Sequence, residues 1–215
     1  MTAVAATVPG ALPDDRIAQY RDDGPIALAI GRLGARVGVP GIVLLVAAAA
    51  PLVALLAVHG EDPPRGLLGA ALGWAVLLGG LSSGRPHGGR FAWAVPTVLR
   101  MLEYGTFIWI AAVGPDAAQP AVFAFLCAIA FRQYDIVYRL RHRSEPPPAW
   151  ITTIGGGWDG RLLAAYALLL LDALPAGLFL AAAGLAVVSV TESARGWARQ
   201  SARGLSDDDE EDETP

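Results

Sequence analysis

Ten polar side chains with the chemistry to bind a ligand occur in four short groups of an otherwise apolar chain. The planar guanidinium of arginine donates paired hydrogen bonds to phosphate, and carboxylates suit Mg²⁺ that bridges phosphate oxygens. A phosphate-bearing lipid or nucleotide head group would satisfy both residue types. The predicted ligand-binding residues are Arg100, Glu103, Arg132, Asp135, Tyr138, Arg139, Asp159, Arg161, Glu192 and Arg195.

Asp135 and Asp159 are the candidates for holding a metal ion, and Mg²⁺ is the cofactor that their chemistry suggests. In this hypothesis Arg132, Arg139 and Arg161 contact phosphate, while the aspartates hold the cation or position a hydroxyl. No serine–histidine–acid constellation accompanies them. The sequence therefore assigns no catalytic residue and leaves open whether the protein is an enzyme.

The same charges also have a purely structural interpretation. Side chains three or four residues apart share a face of a helix, where opposite charges neutralise each other. Such pairs would tie helices together without a ligand, since a charge at mid-bilayer costs about 2.5–3.5 kcal/mol. Five arginines and four carboxylates exceed what a simple contact requires, so both interpretations stay open. The pairs expected from this spacing are Arg100 with Glu103, Arg132 with Asp135, and Glu192 with Arg195.

Long apolar segments must position these residues. Hydrophobic residues make up 54% of the chain, above the roughly 45–50% of ordinary soluble domains. Several apolar runs approach the roughly 20 residues needed to cross a bilayer. The sequence predicts an all-α, polytopic membrane helical bundle with about six transmembrane helices. The predicted spans are residues 39–58, 66–81, 95–113, 121–138, 158–174 and 176–194.

The placement of arginine predicts the orientation of these spans. All 16 cationic residues are arginines, and twelve lie before the first span or just after the second, fourth and sixth. The opposite loops hold only Arg65. Because cytoplasmic loops retain arginine and translocated loops lose it, both termini are predicted to be cytoplasmic in a multi-pass protein of the inner (plasma) membrane. This orientation places the ten candidate residues at one depth, near the inner leaflet.

The segments outside the spans are more polar. Residues 1–37 are predicted to be a cytoplasmic leader, either helical on the membrane surface or loosely ordered. Residues 38–198 form the six-span domain. Residues 199–215, with seven consecutive acids at 207–213, are predicted to be a disordered tail. Membrane lipids are the expected partners, and no nucleic acid is expected.

Residues 154–161, IGGGWDGR, break the apolar pattern before the fifth span. Irregular backbone at membrane depth survives only where protein or a water-filled cavity satisfies it. The segment lacks the Lys and Ser or Thr of a phosphate-binding loop, so flexibility at the start of a helix is its expected role. Whether residues 150–158 re-enter the membrane stays open.

Four sequence blocks resemble an actinobacterial integral-membrane family of unknown function: FRQYDIVYRLR, EPPPAW, GGGWDGR and TESARGW. In that family a comparable block often forms the C-terminal part of polypeptides with a CDP-alcohol phosphatidyltransferase module. The resemblance covers about residues 22–197 and implies a role near phospholipid head-group synthesis, with such an enzyme as a partner. Only Asp159-Gly160-Arg161 is similar to the signature D-x2-D-G-x2-A-R-x8-G-x3-D-x3-D of those enzymes. Their dinuclear metal site is therefore not expected here.

The leading hypothesis is an inner-membrane protein with a cytoplasm-facing polar pocket for a phosphate-bearing lipid or CDP-lipid-type ligand, associated with or divergent from head-group transferases. The alternative is a non-catalytic membrane scaffold or assembly factor with a structural charge network. A small transporter ranks third, because no charge lies mid-span and no inverted repeat is evident.

Overall fold

A computed structural model describes residues 14–34, 36, 38–86, 91–142 and 148–211 of the chain. This part of the chain contains helices and no strand, which confirms the all-α prediction. In chain order the helices are α1 (Asp14–Arg21), α2 (Pro25–Gly34), α3 (Gly41–His59), α4 (Arg65–Ser83), α5 (Ala94–Val113), α6 (Ala118–His142), α7 (Ala149–Ile154), α8 (Gly157–Leu170) and α9 (Leu174–Glu211).

Four helices are long and apolar enough to cross a membrane: α3, α4, α6 and the Leu174–Arg199 part of α9. The other two predicted spans correspond to α5 and α8. Neither of these helices is both long enough and apolar enough to be included with the four. Helix α5 has 20 residues, but Arg100 and Glu103 make it less apolar. Helix α8 has 14 residues, fewer than the roughly 20 that cross a bilayer. The four longer helices identify a membrane protein.

Apolar side chains cover the outside of the bundle as well as its core. Leu45, Leu72 and Phe107 are completely buried, whereas Val53 is 61% exposed and Phe123 is 70% exposed. An apolar outer surface is costly in water but forms the normal contact surface with lipid. The distribution of apolar side chains therefore agrees with insertion into a membrane.

The charged candidates gather at one end of the bundle. There α1 and α2 contact the beginning of α5, the end of α6 and the beginning of α8. The opposite end has an exposed ion pair, in which Arg65 Nη2 lies 3.1 Å from Asp172 Oδ1. Nearby, Trp109 Nε1 donates to the carbonyl oxygen of Gly60 at 2.7 Å. The two ends of the molecule thus differ strongly in buried charge.

The described part of the predicted leader is built into the bundle. Ile17 is 1% exposed, and Arg21 and Ala27 are fully buried. Sequence reasoning expected a surface helix or a loosely ordered segment here, because the charges of this stretch obscured its short apolar face. Residues 1–13, 35 and 37 of the leader lie outside the described residues.

Helix α9 continues into the acidic run as far as Glu211, whereas the sequence predicted a disordered tail over residues 199–215. The end of that tail, residues 212–215, lies outside the described residues.

Candidate functional site

The turn between α1 and α2 forms the centre of the charged end. We call Arg21-Asp22-Asp23-Gly24 the RDDG turn. Asp22 has a φ of 51°, in the left-handed region that aspartate tolerates better than most residues. Its carboxylate accepts hydrogen bonds from Arg132 Nη2 at 2.8 Å and from Arg161 Nη1 at 2.9 Å. One buried carboxylate thereby joins the end of α6 to the beginning of α8.

A second carboxylate extends this arrangement to α5. Arg161 Nε donates to Glu103 Oε1 at 2.7 Å. The other oxygen of Glu103 pairs with Arg100, whose guanidinium also donates to the backbone carbonyl of Arg21. We call these five side chains, Asp22, Arg132, Arg161, Glu103 and Arg100, the Asp22 network. Because its members are nearly all buried, each ion pair lies in a region of low dielectric.

The flanking residues of the RDDG turn reach α4 and α8. Arg21 pairs with Asp23 at 2.6 Å and donates to the carbonyl of Gly79 at 3.1 Å and to Ser82 Oγ at 3.0 Å. Asp23 Oδ1 in turn accepts from the indole N–H of Trp158 at 2.7 Å. Trp158 is completely buried. The turn is therefore anchored on four helices of the bundle.

Asp159 acts at the N-terminus of α2. Its Oδ1 accepts the backbone N–H of Gly24 at 2.6 Å, and its Oδ2 accepts those of Ile26 at 3.1 Å and Ala27 at 2.9 Å. The first N–H groups of a helix have no partner within the helix, and its dipole favours a negative charge there. Asp159 therefore caps α2 from a distant part of the chain.

Asp135 and Asp159, the two residues predicted to hold a metal ion, make hydrogen bonds to different groups of the protein. Both oxygens of Asp159 are occupied by N–H groups, whereas Asp135 accepts hydrogen bonds from Arg139 and Ser193. The described residues contain no group of three or more His, Cys, Asp or Glu that could hold a metal ion. The two aspartates have no partner in common.

The pKa of Asp22 is determined by its burial and by the positive charges of neighbouring arginines. Burial by itself would raise the pKa of this carboxyl group, but the positive charges of Arg161 and Arg132 outweigh that effect. The pKa falls from 3.8 to about 2. Asp22 is therefore ionised at every physiological pH.

A second charged group joins α6 to α9. Arg139 Nε pairs with Asp135 at 2.8 Å within α6, and its Nη2 donates to the carbonyl of Glu192 at 3.2 Å. Ser193 Oγ donates to Asp135 at 3.0 Å, and Arg199 pairs with Glu192 at 3.0 Å. These contacts stabilise the packing of α6 against α9, which is among the most extensive between helices of the bundle.

Two of the three pairs expected from spacing differ in the structure. Arg100 pairs with Glu103 as predicted. Arg132 pairs with Asp22 rather than with Asp135, and Glu192 pairs with Arg139 and Arg199. The predicted partner of Glu192, Arg195, is exposed. Arg132 thus takes its partner from another part of the chain, and Glu192 takes one partner from α6 and one from α9.

The ring of Tyr138 forms part of an aromatic stack. Its ring lies 5.4 Å from that of Trp197, 4.7 Å from that of His142 and 6.3 Å from that of Tyr134. Tyr134 and Trp197 are exposed, as expected for aromatic side chains in the interfacial region of a membrane.

Sequence reasoning missed the RDDG turn, although the turn supplies the central carboxylate. The available signal was an arginine followed by two aspartates and a Gly-Pro step in the leader. Three adjacent charges outside the spans are ordinarily solvated, so nothing local distinguished them from a surface loop. The buried position of Arg21, which is 0% exposed, shows otherwise.

The model of a family of unknown function, DUF5941, matches residues 12–213, so the chain belongs to that family. This confirms the resemblance to a family of unknown function at that level. No curated protein and no solved structure matches the chain.

Proposed function

We propose that this member of DUF5941 is a six-span protein of the inner membrane with cytoplasmic termini, in which α5 also crosses the bilayer and the short α8 crosses it together with the turn residues that precede α9. The charges that lower the hydropathy of α5 belong to Arg100 and Glu103, which pair with each other. Pairing offsets the cost of placing such charges at membrane depth. The arginine distribution supports the orientation.

Single cysteines test this topology, because Cys127 is the only cysteine in the chain. In a Cys127→Ala background, Asp116→Cys is expected to react with a membrane-impermeant maleimide on intact cells, whereas Arg141→Cys reacts only after permeabilisation. Both side chains are exposed, and they lie at opposite ends of α6. The reverse pattern would overturn the proposal, because it would mean either that both termini lie outside the cytoplasm or that α5 does not cross the membrane.

We further propose that the protein is a non-catalytic membrane scaffold or assembly factor whose buried charges are structural. The observation that carries this proposal is charge balance. The Asp22 network, with Arg21, Asp23 and Asp159, contains four arginines and four carboxylates, and each carboxylate has a partner inside the chain. The group is neutral without a ligand. A CDP-alcohol phosphatidyltransferase-type enzyme remains the predicted partner of such a scaffold.

The second candidate function is binding of a phosphate-bearing lipid or CDP-lipid-type ligand by the arginines themselves. Its support is Arg161 Nη2, which is buried and has no hydrogen-bond partner among the described residues. Against it, Arg132, Arg139 and Arg161 already face carboxylates at 2.7–2.9 Å. Mg²⁺ would have to compete with the N–H groups that occupy Asp159.

A double-mutant cycle on Glu103 and Arg161 separates the two functions. If the pair is structural, Glu103→Gln and Arg161→Met each lower the free energy of unfolding by about 3 kcal/mol, because each removes one charge from a buried, neutral group and leaves a net charge there. The double variant loses at least about 1 kcal/mol less than the sum. Unfolding in mild detergent measures the effect, and native mass spectrometry measures lipid retention.

The exposed pair at the opposite end of the bundle provides the control. Asp172→Asn removes a pair with Arg65 whose side chains are 53% and 79% exposed, so the loss stays below about 1 kcal/mol. Unchanged lipid retention in every folded variant supports the scaffold. A folded Arg161→Met variant that keeps its stability but loses a specific phospholipid would support ligand binding instead.

A further inference from the structure

A groove opens between α1, the beginning of α5 and the end of α6, at the charged end of the bundle. Its volume is about 230 Å³, below the roughly 300–1,000 Å³ of pockets for drug-sized ligands. Tyr20 forms part of one wall, Trp93 and Thr97 form a second, and Gln133 forms part of a third. Arg100 of the Asp22 network also lines the groove. A small polar group fits this space.

Two side chains of the groove have polar atoms without a partner. Arg100 Nε and Gln133 Oε1 are both buried and make no hydrogen bond among the described residues. The orientation of Gln133 follows from its Nε2, which donates to the carbonyl of Tyr20 at 3.1 Å. Leaving such atoms unpaired is unfavourable, because each gives up its hydrogen bonds to water on burial. Both atoms lie just beneath the surface of the groove, so a ligand would satisfy this donor and this acceptor after a small shift of the side chains that cover them.

The surroundings of the groove indicate a membrane lipid as the ligand. Trp93, directly before α5, is 67% exposed, as is typical of tryptophan at the level of lipid head groups. Phe91 is 57% exposed and Met101 is 68% exposed, so exposed apolar side chains lie close in sequence to the groove residues Trp93 and Arg100. A head group bound in the groove would leave its acyl chains on the apolar outer surface of the bundle.

We propose that the groove binds the head group of an anionic phospholipid that carries hydroxyl groups, such as a phosphoglycerol head group. A phosphate oxygen accepts from Arg100 Nε, and a head-group hydroxyl donates to Gln133 Oε1. The exposed hydroxyl of Thr97 provides a further hydrogen-bonding group at the rim. This site goes beyond the scaffold function and does not involve the buried donor of Arg161.

The test uses the full chain in mild detergent with defined lipids, measured by native mass spectrometry. Phosphatidylglycerol is expected to bind at least about tenfold more tightly than phosphatidylcholine, which lacks the hydroxyl groups and the net negative charge. Gln133→Leu removes the acceptor and is expected to weaken phosphatidylglycerol binding about tenfold, with little effect on phosphatidic acid. Excess inorganic phosphate is expected not to displace the bound lipid.

Gln119→Leu is the matched control, since Gln119 is exposed at the other end of α6. It is expected to retain phosphatidylglycerol as the unchanged protein does. Because Gln133 also contacts α1, the rim variants Trp93→Ala and Thr97→Val provide a second test that leaves the fold intact. Equal binding of phosphatidylglycerol and phosphatidylcholine, or full retention in the rim variants, would overturn the proposal. Neither outcome depends on the stability cycle of Glu103 and Arg161, so the site and the scaffold function can fail separately.

Discussion

Replacement of Asp22 by asparagine is expected to lower the free energy of unfolding by about 3 kcal/mol, because two buried arginines lose their shared counter-charge. Arg132 and Arg161 both donate to this carboxylate and are 3% and 4% exposed. Asparagine preserves the shape of the side chain and one accepting oxygen, so the loss reports charge rather than packing. Thermal unfolding in mild detergent should show a fall in the midpoint of roughly 10 °C.

Asp116→Asn is the matched control for this prediction. Asp116 is exposed in the short connection between α5 and α6. The same change of one carboxylate to an amide there is expected to alter stability by less than about 0.5 kcal/mol. Equal midpoints for the two variants would contradict a structural role of the Asp22 network.

The dependence of stability on pH is a second readout for Asp22. Its pKa in the folded protein is about 2, below the ordinary 3.8, so its stabilising effect is fully present above about pH 4. The effect is lost as the pH falls from about 4 towards 2, and its total size is about 2 kcal/mol. Asp22→Asn is therefore expected to show a smaller loss of stability than the unchanged protein in this acidic range.

Replacement of Gly157 by alanine is expected to prevent accumulation of folded protein, with a loss above about 4 kcal/mol. Gly157 has a φ of 61°, which costs an L side chain roughly 1–2 kcal/mol. A Cβ atom at this position would also lie 2.0 Å from the backbone nitrogen of Gly24. The start of α8 would have to move away from the RDDG turn, which separates Trp158 and Asp159 from their partners.

Gly160→Ala provides the control three residues along the same helix. A Cβ atom at Gly160 would meet nothing within 4 Å. Alanine there is expected to leave stability unchanged or raise it by about 0.5–1 kcal/mol, since glycine is a poor helix former. The two variants are compared by size-exclusion chromatography and thermal unfolding. Normal expression and an unchanged midpoint for Gly157→Ala would show that the close contact with Gly24 does not hold the fold together.

The spacing of charges along a helix predicted one of the three expected ion pairs correctly. Arg100 and Glu103 pair as expected, because three residues along a helix always bring two side chains to one face. The same rule was wrong for Arg132, which pairs with Asp22 at a separation of 110 residues. A buried arginine pairs with the carboxylate that tertiary packing places beside it. Spacing along one helix cannot predict a partner from a distant part of the chain.

The GGGW segment, residues 155–158, also shows one feature that the sequence predicted and one that only the packing explains. Its glycines predicted an irregular start of a helix, and Gly156 and Gly157 have positive φ angles there. The reason for Gly157 became visible only from the packing, because this residue faces Gly24 without room for a side chain. The role of Asp159 as a cap for α2 depends on the same close approach.

By itself, the sequence determined that the chain is helical and has apolar helices that can enter a membrane, because hydrophobicity accumulates along local segments. Arginine placement likewise predicted an orientation from residues close to each span. Only the tertiary structure decided that the RDDG turn lies buried at the centre of the charges, and that Arg132 and Arg161 face its carboxylate. Those contacts join residues more than one hundred positions apart, so they depend on the path of the folded chain rather than on any local pattern.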